Sequence, residues 1–270
     1  MEKKIKTAWE RVELARNPKR PTALDYIDKV FDEFMELHGD RCLKDDKAIC
    51  CGLAKIGEQN FTVVAEQKGR STKENIERNF GMPNPESYRK AIRFMKQAEK
   101  FNRPIVTFVD TKGAYPGLGA EERGQGEAIA KSMFEMAKLK VPVIVIVIGE
   151  GSSGGALAIA VGNKVVMLEN AIYSILSPEG FSSILWKDSS KAKEAAEKMK
   201  LTAQDLYDFE IIDKIIEEPE FGDANFTKIV SEKMRNEIMF FLQEMNGKSK
   251  EEIVEERYQK FRNMGKFEVL

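Results

Sequence analysis

The sequence predicts an α/β fold built on a largely parallel sheet, and three features carry that prediction. Apolar runs at 61–69 (FTVVAEQKG), 104–113 (PIVTFVDTKG) and 142–151 (PVIVIVIGEG) recur about forty residues apart, each ending in polar or glycine-rich sequence. Between them lie segments with apolar residues at helical spacing. The third run empties into GEGSSGGALAIAVG, a glycine-rich turn followed by a short apolar stretch. Strands alternating with helices imply right-handed crossovers, with ligand sites at the carboxyl ends of the strands.

Taken in order, the chain opens with a helical arm over 2–37, broken at NPKRP by Pro18 and Pro21. Leu24, Ile27, Phe31, Phe34 and Met35 continue a helical period up to His38, with Gly39 as the C-cap. After the first strand, Tyr88, Ala91, Ile92, Met95 and Ala98 define a helix over 87–101. After the second, Ala128, Ile129, Met133, Met136 and Ala137 define one over 125–139; these methionines read as core. NKVVMLEN (163–170) reads as a further strand. A C-terminal helical arm starts near Asn225, with Ile229, Met234, Ile238, Phe241, Leu242 and Met245 apolar and Gly247 as a stop. The expected division is an N-terminal arm 1–40, a core 41–222 and a C-terminal arm 223–270. Terminal helices this apolar pack on their own core or on another subunit.

Composition excludes several classes. Lys+Arg total 43 against 44 Asp+Glu, so no net field points to nucleic acid or a membrane surface. The longest apolar run, 141–148, is too short to span a bilayer, and the N-terminal residues lack the apolar core of a signal peptide. A soluble cytoplasmic protein is expected. Cys42, Cys50 and Cys51 have no C-x-x-C spacing and read as reduced packing thiols. The single histidine, His38, reads as a capping or surface residue. A Ser-His-Asp hydrolase would have to recruit it to Ser152 or Ser153 across more than a hundred residues.

The glycine-rich turn admits three readings. Gly149, Gly151 and Gly154 spell G-x-G-x-x-G, and Glu169 lies where a dinucleotide fold keeps its ribose-binding acid. Yet only 155–162 is available for helix before the next strand, shorter than a dinucleotide-binding crossover of about ten to twelve residues. Glycines serving only tight packing are the second reading. The favoured one is an oxyanion-hole turn, in which N–H groups near Gly154, Gly155 and Ala156 stabilise developing negative charge.

DTKGAYPGLGAEERGQGEAIA (110–130), GEGSSGGALAIAVG (149–162), ILSPEGFSSILW (175–186), NFGMPNPESYRKAIRFM (79–95) and HGDR (38–41) closely resemble the alpha-subunit family of bacterial acetyl-CoA carboxylase carboxyltransferases. The likeness covers nearly the whole chain. One departure is Lys112, where the family reads Pro in DTPGAYPG, which bears on the stiffness of that loop. The resemblance implies a crotonase-type spiral of β-β-α units with helical arms at both ends. It implies transfer of a carboxyl group from carboxybiotin, borne by the biotin carboxyl carrier protein that biotin carboxylase charges, to acetyl-CoA, giving malonyl-CoA for fatty acid synthesis. It further implies a zinc-containing beta subunit, an α2β2 hetero-tetramer, no metal on this chain, and no nucleic-acid or membrane partner.

Carried over residue by residue, Gly154, Gly155 and Ala156 would hold the biotin ureido oxygen, and the wall beside them would be Gly113, Ala114, Tyr115, Pro116 and Gly117. The chemistry agrees with the scarcity of histidine: backbone N–H donors stabilise an oxyanion without titrating, and the released biotin nitrogen can accept the methyl proton of acetyl-CoA. Glu121, Glu122 and Arg123 read as a salt-bridged loop that positions the turn. Two other classes stay open: a stand-alone acyl-CoA hydratase or isomerase using Glu121 or Glu150, and a non-catalytic scaffold docking through its arms.

Overall fold

The computed structural model describes residues 5–265; the outermost parts of the two expected arms, 1–4 and 266–270, lie outside the described residues. Helix α1 (Ala8–Ala15) starts at a capping box formed by Thr7 and Glu10. Pro18 and Pro21 separate it from α2 (Ala23–Val30), whose start is fixed by Thr22 and Asp25.

The helical period expected through Met35 breaks at Phe31, where the backbone turns extended (φ −102°, ψ 147°). Residues Glu33–Leu37 instead form strand β1, antiparallel to β2 (Ile49–Ile56). The ring of Phe31 packs edge-on against Phe61, 5.8 Å between centroids, which anchors the chain as it leaves the helix. Gly39 therefore follows a strand, with φ +80°, and is not a helix C-cap.

A tight turn at Gly57 (φ +57°) joins β2 to β3 (Gln59–Glu66). The chain continues through α3 (Thr72–Glu77), α4 (Pro85–Lys100), β4 (Ile105–Thr111), α5 (Leu118–Glu122), α6 (Gln125–Lys138), β5 (Val143–Ser152) and α7 (Ser153–Leu157). Then come β6 (Lys164–Leu168), β7 (Ile172–Ser174), α8 (Pro178–Trp186), α9 (Ala192–Met199), α10 (Ala203–Asp208), β8 (Lys214–Ile216), α11 (Phe226–Met245) and α12 (Lys250–Arg262).

The sheet runs β1-β2-β3-β4-β5-β6-β8, antiparallel across the first three strands and parallel thereafter. Strand β7 leaves this path and pairs with the last residues of β5, while β6 pairs with its first half. Two β-β-α units are visible in the order of elements, β2-β3 leading to α4 and β6-β7 leading to α8. Strands β4 and β5 are buried along their whole length, as parallel strands covered on both faces must be. Helices α4 and α6 pack together over one side, and α2 packs with α11.

The C-terminal arm packs Val230, Met234, Ile238 and Phe241 of α11 into the core, and α12 is tied to it by a buried arginine. Arg257 of α12, only 1% exposed, donates to the carbonyls of Met136, Leu139 and Val141 and to Asn163 Oδ1 at 2.6–2.9 Å. It thus joins the C-cap N–H of Leu139 on the Met136 carbonyl and caps the carbonyls of Leu139 and Val141 just past the end of α6. Among the described residues no helix is long and apolar enough to cross a membrane.

Candidate functional site

Strands β4 and β5 run in register until Val109 pairs with Val147; the next pair is Thr111 with Gly151. Two residues of β4 advance against four of β5, so β5 bulges opposite Asp110. Beyond this bulge the strands deliver two backbone segments to one place, the loop 112–117 and the turn into α7. A Cβ on Gly155 would lie 2.5 Å from the amide nitrogen of Ala114 and 2.7 Å from the carbonyl carbon of Gly113. Glycine is required there by backbone-to-backbone approach, since the φ of Gly155 is not in the left-handed region. Gly154 is freer: its Cβ would meet only the Ile129 Cγ2 methyl, at 3.3 Å.

The structure thus brings the two expected segments together. Helix α7 opens at Ser153, which is exposed and holds φ +56°. A non-glycine residue in that region costs on the order of 1 kcal/mol and marks a turn held by its surroundings. Gly154 and Gly155 are second and third in the helix, where N–H groups have no carbonyl four residues back. Ala156 is buried and fourth, and its N–H makes no hydrogen bond among the described residues.

In the facing loop, Gly113 (φ +135°) donates to Thr111 Oγ1 at 3.1 Å, and Tyr115 donates its N–H to Pro83 O at 3.0 Å. Pro116 has no N–H. Ala114 N–H makes no hydrogen bond among the described residues, and it is the group nearest Gly155. The Tyr115 ring lies over Gly117, where any Cβ would collide with it. Buried Gln125 clamps the loop by donating to the carbonyls of Pro83 and Tyr115.

Beside these segments is a charge cluster that sequence reading did not find. Asp110 is 4% exposed; its Oδ1 accepts the Glu150 N–H at 2.9 Å and lies 2.5 Å from Lys68 Nζ. The N–H of Asp110 donates to Glu66 Oε2 at 2.9 Å, and burial holds the Glu66 carboxyl well above the usual carboxylate range. Arg16 from the α1–α2 connection reaches Glu150 at 2.8 Å and Glu179 of α8 at 2.7 Å. Asp110, Lys68, Glu150, Arg16 and Glu179 border a cavity of about 570 Å³ at the carboxyl ends of β3, β4 and β5, which Arg20 and Lys112 also line. Ser153 and Leu157 line a second, apolar cavity of about 260 Å³ with Tyr173, Ile175 and Phe261. The ends of neighbouring strands were the only available signal for the cluster.

Other sequence candidates lie elsewhere or are engaged. Gly149 and Gly151 are inside β5, and α7 has five residues, so no dinucleotide-binding strand-turn-helix is present there. Glu169 accepts the backbone N–H of Glu218. His38 is exposed, 3.2 Å from Asp45, and follows β1, four strands from β5; at about 4.8 Å per strand that is roughly 19 Å from Ser152 and Ser153. Cys50 and Cys51 are buried free thiols, Cys51 pushed up to about 12 by burial, and Cys42 is an exposed free one. Arg123 pairs with buried Glu86 at 2.7 Å, while Glu150 is held by Arg16. Among the described residues no group of His, Cys, Asp or Glu is arranged to hold a metal ion.

Comparison with solved structures gives the class. The chain superimposes on transcarboxylase 12S with a TM-score of 0.68 at 18% identity, covering 85% of this chain and 43% of that one. The fold is the crotonase type of the carboxyltransferases. Residues 3–265 match the family described as acetyl co-enzyme A carboxylase carboxyltransferase-like, and the chain belongs to that family. It is 58% identical over 261 residues to the acetyl-coenzyme A carboxylase carboxyl transferase subunit alpha of Clostridium acetobutylicum, covering 97% of this chain and 95% of that one. It is 57% identical over 261 residues to the subunits beta/alpha protein of Natranaerobius thermophilus, covering 97% of this chain and 43% of that one. The chain is accordingly a carboxyltransferase, a transferase, of the alpha-subunit type.

Proposed function

We propose that this chain forms half of a divided carboxyltransferase site for transfer of a carboxyl group from carboxybiotin to acetyl-CoA, giving malonyl-CoA. The observation that carries the reading is the contact between Gly155 and the Gly113–Ala114 backbone, which sets the unengaged Ala114 N–H beside the opening N–H groups of α7. Carboxybiotin, when bound, supplies the carboxyl group and leaves negative charge on its ureido oxygen as that group departs.

Gly154, Gly155 and Ala114 would hold that oxygen through backbone N–H donors, which need no proton transfer and no reorganisation. The N–H of Ala156, next along the same turn, is proposed as a further donor. Gly113, Tyr115, Pro116 and Gly117 shape the adjoining wall, clamped by Gln125. The cavity beside Ser153 presents an apolar surface along one side of the turn. A backbone cradle beside an apolar surface fits a neutral bicyclic urea, which presents one oxygen acceptor and hydrocarbon faces.

The acyl-CoA side is assigned to a separate, zinc-containing beta subunit. Its support is the Natranaerobius protein, named for both subunits, of which this chain spans 43%. Arms 1–40 and 223–270 around a core 41–222 are proposed as the docking elements of an α2β2 assembly, working in the cytoplasm with a biotin carboxyl carrier protein and a biotin carboxylase. The purified chain should show negligible biotin-dependent decarboxylation of malonyl-CoA, and mixing with the beta subunit should restore it. Full turnover from the rigorously purified single chain would overturn the divided site.

A further inference from the structure

We propose that Asp110 is a positioning residue for the anion-binding turn: it fills the β5 bulge and so fixes how far the turn into α7 stands from the loop carrying Ala114. The inference rests on the reading of that turn given above. A bulge that advances four residues of β5 against two of β4 leaves backbone groups without ladder partners and re-aims the strand that carries it. Asp110 supplies the missing partner, its Oδ1 accepting the Glu150 N–H at 2.9 Å. Gly149 allows the approach, because any Cβ at that position would collide with the Asp110 carboxylate.

The carboxylate is paired with Lys68, and the groups on either side of its bond to Glu150 are anchored in turn. Lys68 Nζ stands 2.5 Å from Oδ1, the Asp110 N–H is anchored on Glu66, and Glu150 is drawn by Arg16 from the N-terminal arm. Lys68 and Glu66 come from the end of β3, Asp110 from β4 and Glu150 from β5, so one buried carboxylate links three strand ends. Gly113 begins three residues after Asp110, and the turn begins two residues after Glu150. With so short a lever on each side, the distance between Ala114 and Gly155 follows from the Asp110–Glu150 bond. Asp110 touches no reacting atom; its effect passes through the backbone.

The test uses this chain assembled with its beta subunit, with kcat expressed per assembled complex. Asp110→Ala should lower kcat at least 100-fold while the KM for malonyl-CoA stays within twofold, because the turn, not substrate binding, is displaced. Asp110→Asn should regain at least tenfold over Ala, since its amide oxygen still accepts the Glu150 N–H. Gly149→Ala, with Asp110 intact, should lower kcat as Asp110→Ala does, by forcing the carboxylate aside. A kcat within threefold of wild type for Asp110→Ala, a loss shared equally with KM, or no recovery in Asn would overturn the proposal. If Asp110→Ala fails to assemble, a Gly149→Ala complex within threefold of wild type overturns it equally. Gly155→Ala is measured alongside: if it keeps full turnover, the reading of the turn falls and this proposal with it. If Gly155→Ala loses turnover and the Asp110 variants do not, Asp110 alone is ruled out.

Discussion

Replacing Gly155 by Ala is the smallest perturbation that separates an anion-binding turn from a merely well-packed one. The added methyl would lie 2.5 Å from Ala114 N and 2.7 Å from Gly113 C, about 1 Å inside ordinary contact at roughly 3.5 Å. Both are backbone atoms, so the loop or the helix must move by about that much. A 1 Å displacement of reacting geometry can cost on the order of 100-fold. Loss of one oxyanion donor costs about 100- to 1000-fold, roughly 3 to 4 kcal/mol. Both routes give an expected fall in kcat of at least about 100-fold. The clash also costs about 1–3 kcal/mol of stability, offset in part by the helix preference of Ala, about 1 kcal/mol, so turnover is read on the assembled complex.

Gly154→Ala is the matched control. Its methyl would meet the end of a side chain, Ile129 Cγ2 at 3.3 Å, which a small rotation relieves, so less than about tenfold is expected. The assay is biotin-dependent malonyl-CoA decarboxylation by the complex with the beta subunit, with assembly verified by size-exclusion chromatography. Near-wild-type turnover in an intact Gly155→Ala complex, or an equal loss in Gly154→Ala, would refute the reasoning.

Two further outcomes follow from buried charge. Arg257→Ala should leave the carbonyls of Leu139 and Val141, just past the end of α6, without their partner; at about 1–3 kcal/mol for a buried group left unsatisfied, the summed cost is about 3 kcal/mol. That lowers Tm by roughly 6–12 °C, read by calorimetry, and a shift below about 2 °C would contradict the capping role. Burial holds Glu66 protonated above the usual carboxylate range, so the folded chain keeps a proton that the unfolded chain releases, and this contribution falls as pH rises from about 4.3 through the folded value. Glu66→Gln removes that titration, so its Tm relative to wild type should rise between about pH 4 and pH 9; a constant difference across that range would refute it.

The centre of the sheet was legible because burial on both faces leaves continuous apolar runs: β4 lies within its segment read as a strand, β3 begins two residues before its segment and β5 ends one residue past its own. Helices α4 and α6 were legible for the complementary reason, one apolar face each. The edge was not. Phe31, Phe34 and Met35 are three to four residues apart and satisfy a helical period, but at the sheet edge pairing with β2 decides, and the helix stops at Phe31. Strands β7 and β8 have three residues each, too few to show alternation. The C-terminal arm was legible as a helix with a stop at Gly247, yet its anchoring through Arg257 was not, because that contact joins residues more than a hundred positions apart.

The same division runs through the candidate site. Glycines 113, 154 and 155 announce themselves because a backbone cradle is written in short local runs, GAYPG and SGGA, although only Gly155 is held to glycine by close backbone approach and Gly113 by its φ of +135°. Gly149 was misleading for the same reason: it fits a phosphate-binding pattern in sequence, but in the fold it makes room for the Asp110 carboxylate. A β-bulge is a relation between two strands, two residues advancing against four, and neither strand's sequence records the offset. Asp110, Lys68 and Glu150 each read as polar punctuation at the end of an apolar run. Only the sheet order β3-β4-β5 makes them neighbours, and only their burial makes pairing obligatory, since an unpaired carboxylate at 4% exposure would be costly. Local chemistry in this chain is therefore readable as a motif, while the geometry that aims it is a property of the sheet.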